Sequence, residues 1–233
     1  MQFIEKKSLN VRSAIYHLRN DNDNTEFILF PMVHVGTKEY YDDISRRLAS
    51  CNLILAEGVN SKKIGLLTLS YRIVRKIRRM DLVTQSEGMH ISSFRNKILN
   101  CDMTKNVFDD RWSSLPLGIR AQIFAMVPLF IVYLFFFGTR NIIAQNIALQ
   151  DLPSRDETLL QDENFEKLDD LLIDKRDQKL IDSIEKLHDA ERIEKRTVGV
   201  VYGAMHMRHV VSFLFQKWHY RIAKAEWITV FDF

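Results

Sequence analysis

Thr197-Val-Gly-Val-Val-Tyr-Gly-Ala-Met-His206 is the stretch on which the fold turns. A short, largely apolar run rich in Val leads into a glycine and stops at an imidazole. A continuous apolar run of strand length is how a strand buried on both faces of a parallel sheet reads. Other stretches end in the same way. Glu26-Phe-Ile-Leu-Phe30 runs through Pro31-Met-Val to His34, Asn52-Leu-Ile-Leu-Ala56 ends at Glu57-Gly58, and the shorter Ile98-Leu-Asn-Cys-Asp102 ends on a carboxylate. The carboxyl ends of parallel strands lie along one edge of the sheet, where ligands bind in open α/β folds. The pattern therefore predicts that His34, Glu57, Asp102 and His206 gather at one edge, although the outermost two are 172 positions apart (206 − 34).

The remaining segments fill in an α/β domain. Ser13–Leu18 and Glu26–Phe30 flank the turn-rich Asn20-Asp-Asn-Asp-Asn24, which predicts an N-terminal β-hairpin. Tyr40 or Tyr41, Ile44 and Leu48 recur at helical spacing between charged residues, so a helix follows the first buried strand. Leu66, Leu69, Ile73, Ile77 and Met80 form a second helical stripe with Arg72, Arg75, Lys76, Arg78 and Arg79 off it, a basic amphipathic helix. Ile91–Lys97 reads as a helix. Asp156 to Asp174 carries eight carboxylates and one Lys, a solvated acidic face, and Leu180, Ile184 and Leu187 give the next helix its apolar stripe. Helical residues follow at His209–Phe215, and Trp227-Ile-Thr-Val-Phe231 is a last strand. The expected architecture is a central, mainly parallel sheet with flanking helices in a single domain over residues 1–233.

Composition narrows the function classes. Lys and Arg number 33 against 30 Asp and Glu, a net charge of +3, and hydrophobic residues make up 46% of the chain. This excludes a disordered or low-complexity chain, and the near-balance of charge argues against a dedicated nucleic-acid binder. Two cysteines, Cys51 and Cys101, make no disulfide framework and are read as structural thiols. Met1–Lys7 lacks the apolar run of roughly 7 to 15 residues of a secretory signal, so the expected location is the cytoplasm.

Two imidazoles and one or two carboxylates at strand ends suit a divalent ion with open positions for water or substrate. Each also has a plainer role open to it: a strand-end His bonds a backbone carbonyl, a Glu caps a helix, and an Asp makes an Asx-turn. His209, three residues after His206 and on a similar side of a helix, is either a supporting partner for it or, on the favoured reading, an ordinary surface histidine, and His17, His90, His188 and His219 are read as structural.

Phe27-Ile-Leu-Phe-Pro-Met-Val-His-Val-Gly-Thr37, Leu53-Ile-Leu-Ala-Glu-Gly58, Asn100-Cys-Asp-Met-Thr104, Leu152-Pro-Ser-Arg-Asp-Glu157 and Val200-Val-Tyr-Gly-Ala-Met-His206, in this order, resemble the TraB/PrgY/GumN and Tiki family. The resemblance runs from about Glu26 to Phe215. That family is marked by two Gly-x-x-His motifs, a Glu after the second strand and an Arg upstream of the second motif. Here the second motif is intact as Gly203-Ala-Met-His206, whereas the first has Pro31 where Gly is expected. The resemblance implies a metal-dependent hydrolase, with manganese or cobalt and with zinc as a further candidate, cleaving peptides or related amides; related folds include esterases. It places His34, Glu57 and His206 as ion ligands or base, Arg155 as the group that meets the oxyanion, and Asp102 as a supporting or ligating carboxylate. A non-catalytic, membrane-associated binding protein and a metal-free hydrolase with a histidine base are the competing readings. Pro31 fixes φ near −65° and lacks an N–H, so the first strand is expected to leave the sheet or bulge there.

Ala121 to Thr139 carries no charge and lies between Arg120 and Arg140. Its 19 residues approach the roughly 20 that cross a bilayer. A single crossing would place His34, Glu57 and Asp102 opposite Arg155 and His206, and no shared site would form. Pro128, Gly138 and the short Asn141–Leu149 segment point instead to an inserted apolar helical hairpin within residues 115–150, serving as a lid, a contact with an anionic membrane surface or a homodimer element.

Overall fold

The computed structural model describes residues 1–58, 80–150, 173–189 and 195–233, together with positions 65, 69, 72, 76 and 77. Its centre is one twisted sheet. Four strands run parallel in the order β3 (Thr25–Met32), β8 (Arg196–Gly203), β5 (Leu53–Ala56) and β7 (Ile98–Asn100). On the β3 side the sheet turns antiparallel. β2 (Asn10–Arg19) pairs with β3, with β1 (Ile4–Lys6) and with β9 (Arg221–Asp232). Because β9 follows β2 along its whole length, β1 and β3 share the other side of β2. A separate two-stranded ladder joins β4 (Val35–Gly36) to β6 (Val83–Thr84).

The parallel strands form where the apolar runs predicted them. Every residue of β3 is buried, and Val198, Val200, Val201 and Tyr202 of β8 are 0–2% exposed. The hairpin of β2 and β3 also lies as expected, and β1 adds a strand before it. α1 (Lys38–Ala49) starts where Thr37 Oγ1 accepts the Tyr40 N–H at 3.3 Å, and it buries Tyr40, Tyr41, Ile44 and Leu48 against the sheet. Its last turn sits close on β8. A Cβ at Gly199 would lie 3.0 Å from Cys51 Sγ and 3.1 Å from Leu48 Cδ2, so the absent side chain sets that approach.

At Pro31 the outcome differs from expectation. β3 neither leaves the sheet nor bulges, and Pro31 and Met32 stay in register with Tyr202 and Gly203 of β8. The Pro31 carbonyl points toward β2, where it accepts the Ser13 hydroxyl at 2.7 Å, so the missing N–H faces that side too. The β2 ladder has already ended at Leu29, and no sheet bond is lost.

The apolar segment is also corrected. α3 (Leu117–Phe137) follows α2 (Lys105–Ser114) and runs unbroken through Pro128, and two residues separate it from α4 (Arg140–Gln150). The two do not make the expected hairpin. α4 packs on β1 and buries Ile143, Ala144 and Ile147 in the core, while α3 stays largely exposed. Half-buried Ile119, Ile123, Val127, Phe130 and Ile131 recur at helical spacing and lead to buried Leu134, so one narrow stripe of α3 faces protein. Met126, Leu129, Val132 and Phe135–Phe137 point outward. The sheet excludes a single crossing at α3, because β8, from after the helix, lies between β3 and β5, from before it.

α5 (Lys175–Asp189) and α6 (Met207–Trp218) flank β8 in sequence and pack on each other. Ile91–Lys97 is a 3-10 helix. Most of the basic helix expected over Leu66–Met80 lies outside the described residues, although Ile77 and Met80 are buried. Nearly all of the acidic stretch lies outside them as well, and Arg155 with it.

Candidate active site

The four strand ends place His34, His206, Glu57 and Asp102 in the order of the strands, β3, β8, β5 and β7. Backbone bonds beyond the strands hold them there. Glu57 N–H donates to the Val201 carbonyl at 3.1 Å, Cys101 N–H to the Ala56 carbonyl at 3.2 Å, and Gln85 N–H to the His34 carbonyl at 3.0 Å. Glu57 is thus held by the ladder itself, and Asp102 follows the last ladder residue, Cys101, with its own N–H donating to Asn100 Oδ1 at 2.9 Å.

Arg176, in the first turn of α5, is clamped between these two carboxylates. Its Nε donates to Asp102 Oδ1 at 3.0 Å, and one terminal nitrogen donates to Asp102 Oδ2 at 2.6 Å and to Glu57 Oε1. The Asp102 side chain is fully buried and also accepts the Gly58 and Met103 N–H groups at 3.1 and 2.8 Å. Glu57 Oε2 accepts the Gly203 N–H at 2.9 Å. Burial works against the Glu57 carboxylate, but the Arg176 guanidinium, first among the opposing causes, and the Gly203 N–H bond outweigh it, and its pKa is held down at about 2. Arg176 is likewise more firmly protonated than usual, since the two carboxylates overcome its desolvation.

Asp177, the next residue on α5, is 2% exposed and takes the other histidine. His206 Nδ1 lies 2.5 Å from Asp177 Oδ1, and His209 Nδ1 bonds the second oxygen. A carboxylate that accepts at Nδ1 leaves Nε2 as the acceptor of the ring. That edge of His206 and the Glu57 carboxylate both lie beside Gly203. A Cβ built on Gly203 would stand 3.4 Å from His206 Cδ2, 3.9 Å from His206 Nε2 and 3.6 Å from Glu57 Oε2. Gly203 has φ −51° and ψ 143°, which any residue adopts, so its role here is to leave room between imidazole and carboxylate. The Tyr202 ring packs edge-on to His206 with centroids 5.6 Å apart, and its buried hydroxyl has no hydrogen-bond partner among the described residues.

His34 is exposed at the end of β3. Desolvation lowers its pKa, and the Arg176 charge acts in the same direction against the pull of Glu57, so the neutral ring is favoured.

Sequence reasoning pointed to His34, Glu57, Asp102 and His206, and these four meet. It missed Arg176 and Asp177 and read His209 as a bystander. A signal was available: Arg176 and Asp177 stand four and three residues before Leu180, on the same helical stripe as Ile184, so a charged pair occupies a buried face.

Among the described residues no three His, Cys, Asp or Glu side chains are grouped to hold an ion. The bonding accounts for this. Glu57 and Asp102 are turned to a guanidinium that supplies the positive charge an ion would bring, and the expected set of His34, Glu57 and His206 does not fit an ion centre in this arrangement. What the site offers is an imidazole oriented by a buried carboxylate, a second, neutral imidazole, and an ionised carboxylate fixed beside the first. Comparison of the chain with models of known families, with curated proteins and with solved structures finds no match.

Proposed function

We propose that the strand-end site hydrolyses a carbonyl compound, a peptide or a small amide or ester, with His206 as general base. The observation that carries this reading is His206 held through Nδ1 by buried Asp177, with its Cδ2–Nε2 edge and Glu57 Oε2 both beside Gly203. In this mechanism Glu57 orients a water molecule, and Nε2 takes its proton as the water oxygen bonds to the carbonyl carbon. Asp177 stabilises the imidazolium that forms. Neutral His34 donates an N–H to the developing oxyanion. The bond from carbon to the leaving nitrogen or oxygen then breaks, and His206 returns its proton to the leaving group. Arg176 keeps Glu57 ionised and in place. The resemblance to the TraB/PrgY/GumN and Tiki family supports hydrolysis, and the Arg176 clamp favours its metal-free form.

The apolar outer surface of α3 favours a location for this chemistry on the face of a membrane. A helix that turns Met126, Leu129, Val132 and Phe135–Phe137 away from the protein presents to its surroundings what a lipid interface covers.

The test is a panel of chromogenic peptide anilides and acyl esters incubated in oxygen-labelled water with and without a chelator. Label in the product carboxylate, released at the same rate with chelator present, is the expected result. No turnover of any substrate, or turnover restored only by manganese, cobalt or zinc, would overturn the proposal.

A further inference from the structure

β9 is the edge of the sheet, and among the described residues it pairs only with β2. Its residues have alternating duties. The Ala14 N–H donates to the Phe3 carbonyl, so Ala14 faces β1, and its opposite number Trp227 turns its own N–H and C=O away from β2. By the same alternation Ala225, opposite Tyr16, points its backbone groups outward, while Lys224 and Glu226, opposite His17 and Ile15, bond inward. The open stretch is bounded at one end, where Thr37 takes the Val230 carbonyl at 3.0 Å. The exposed edge therefore offers the donors and acceptors of Ala225 and Trp227 to a further strand, with Ala223 and Ala225 exposed beside them.

We infer that a second copy of this chain supplies that strand, in an antiparallel β9–β9 pairing with its two-fold axis at Ala225. The side chains select this register. With Ala225 opposite Ala225, Lys224 faces the partner's Glu226 and Glu226 faces the partner's Lys224, in the non-hydrogen-bonded positions where side chains approach most closely. Ala223 faces the partner's Trp227, small against large. Moving the axis one residue either way sets Lys224 against Lys224 or Glu226 against Glu226, and like charges directly opposite destabilise a ladder. Odd offsets would set an outward-facing residue opposite an inward-facing one and break the hydrogen bonding. Glu226 is held in place within its own chain by Arg47 at 3.3 Å and His17 at 3.6 Å, whereas Lys224, 60% exposed and 2.7 Å from Glu226, is the mobile partner that exchanges its own Glu226 for that of the second copy. The result is one continuous sheet with isologous contacts.

The test is the mass in solution of the full chain by light scattering and sedimentation, over protein concentrations up to about 100 µM. Wild type is expected at twice 27.5 kDa. Lys224→Glu and Glu226→Lys are each expected to weaken the dimer at least about tenfold, and an equal mixture of the two to restore it, because each then meets its opposite charge. Ala225→Pro removes a donor that points away from β2, so it is expected to yield a monomer with its melting transition retained, which separates loss of pairing from loss of fold. A wild-type monomer throughout that range overturns the inference, and so does a dimer that Lys224→Glu and Ala225→Pro leave intact.

Discussion

Replacing Arg176 with Met is the most informative perturbation of the fold beneath the site. The substitution keeps volume and removes the cation that, among the described residues, pairs with both buried Asp102 and Glu57. The Glu57 pKa lies near 2 against an ordinary 4.5, and the Glu57 side chain is 19% exposed, so the charge is held in a partly dry place. At 1.36 kcal/mol per pH unit this span corresponds to about 3 kcal/mol. Breaking a buried pair by removing one partner costs about 3–5 kcal/mol, which agrees in size. The sign follows from linkage. A depressed carboxylate pKa stabilises the fold fully above about 4.5, and that stabilisation is lost as pH falls from there toward 2. Urea unfolding of wild type and Arg176→Met at pH 7 and in steps down to pH 3 is the assay. The variant is expected to be less stable by about 3–5 kcal/mol at pH 7, with the gap narrowing below pH 4.5 as wild type loses the stabilisation held by its Glu57 carboxylate. Equal stability at pH 7, or a gap that stays constant with pH, would refute the reasoning. Arg176→Lys should recover part of the loss, since an ammonium keeps the charge but not the fork that spans two carboxylates.

Three further outcomes are expected. Tyr202→Phe removes a buried hydroxyl with no partner among the described residues, so thermal unfolding should shift upward, by up to about 1–3 kcal/mol in stability, and a clear loss would show that the hydroxyl has a partner. Gly88→Ala would put a Cβ 2.2 Å from the Tyr41 ring, whose hydroxyl holds the Val33 carbonyl next to His34; calorimetry should show about 1–3 kcal/mol of destabilisation, and an unchanged melting temperature would contradict this. Leu129→Asp with Phe136→Asp changes only outward positions of α3, so binding to vesicles that contain anionic lipid should fall while the melt is retained; equal sedimentation of variant and wild type with vesicles would place the lipid contact elsewhere.

The parts of this fold that were legible in sequence are those where burial is continuous. β3, β5 and β8 are apolar along their length, and the polar residues that end them are therefore conspicuous, which is why His34, Glu57 and His206 stood out. Arg176 and Asp177 are less conspicuous, because they sit in a run of charges that suggests solvent, although they share the helical stripe of Leu180 and Ile184 that turns them inward. Motif order points to Arg155, which lies outside the described residues, whereas Arg176, also upstream of Gly203, meets Glu57. The consequence of Pro31 depends on which neighbour its missing N–H faces, a property of register that one strand's sequence does not contain. The expected helical hairpin failed for a similar reason. Apolar character in α3 and α4 is alike in sequence, but α4 spends it on β1 and the core, whereas α3 keeps it outside.

The central claim, that His206 on Asp177 is a hydrolytic base, is tested most directly by comparing wild type, His206→Gln and Asp177→Asn on one chromogenic acyl ester in the presence of a chelator. The expected result is turnover by the wild type that falls about 10²- to 10⁴-fold in both variants with their folds intact. Equal rates in all three proteins would contradict it.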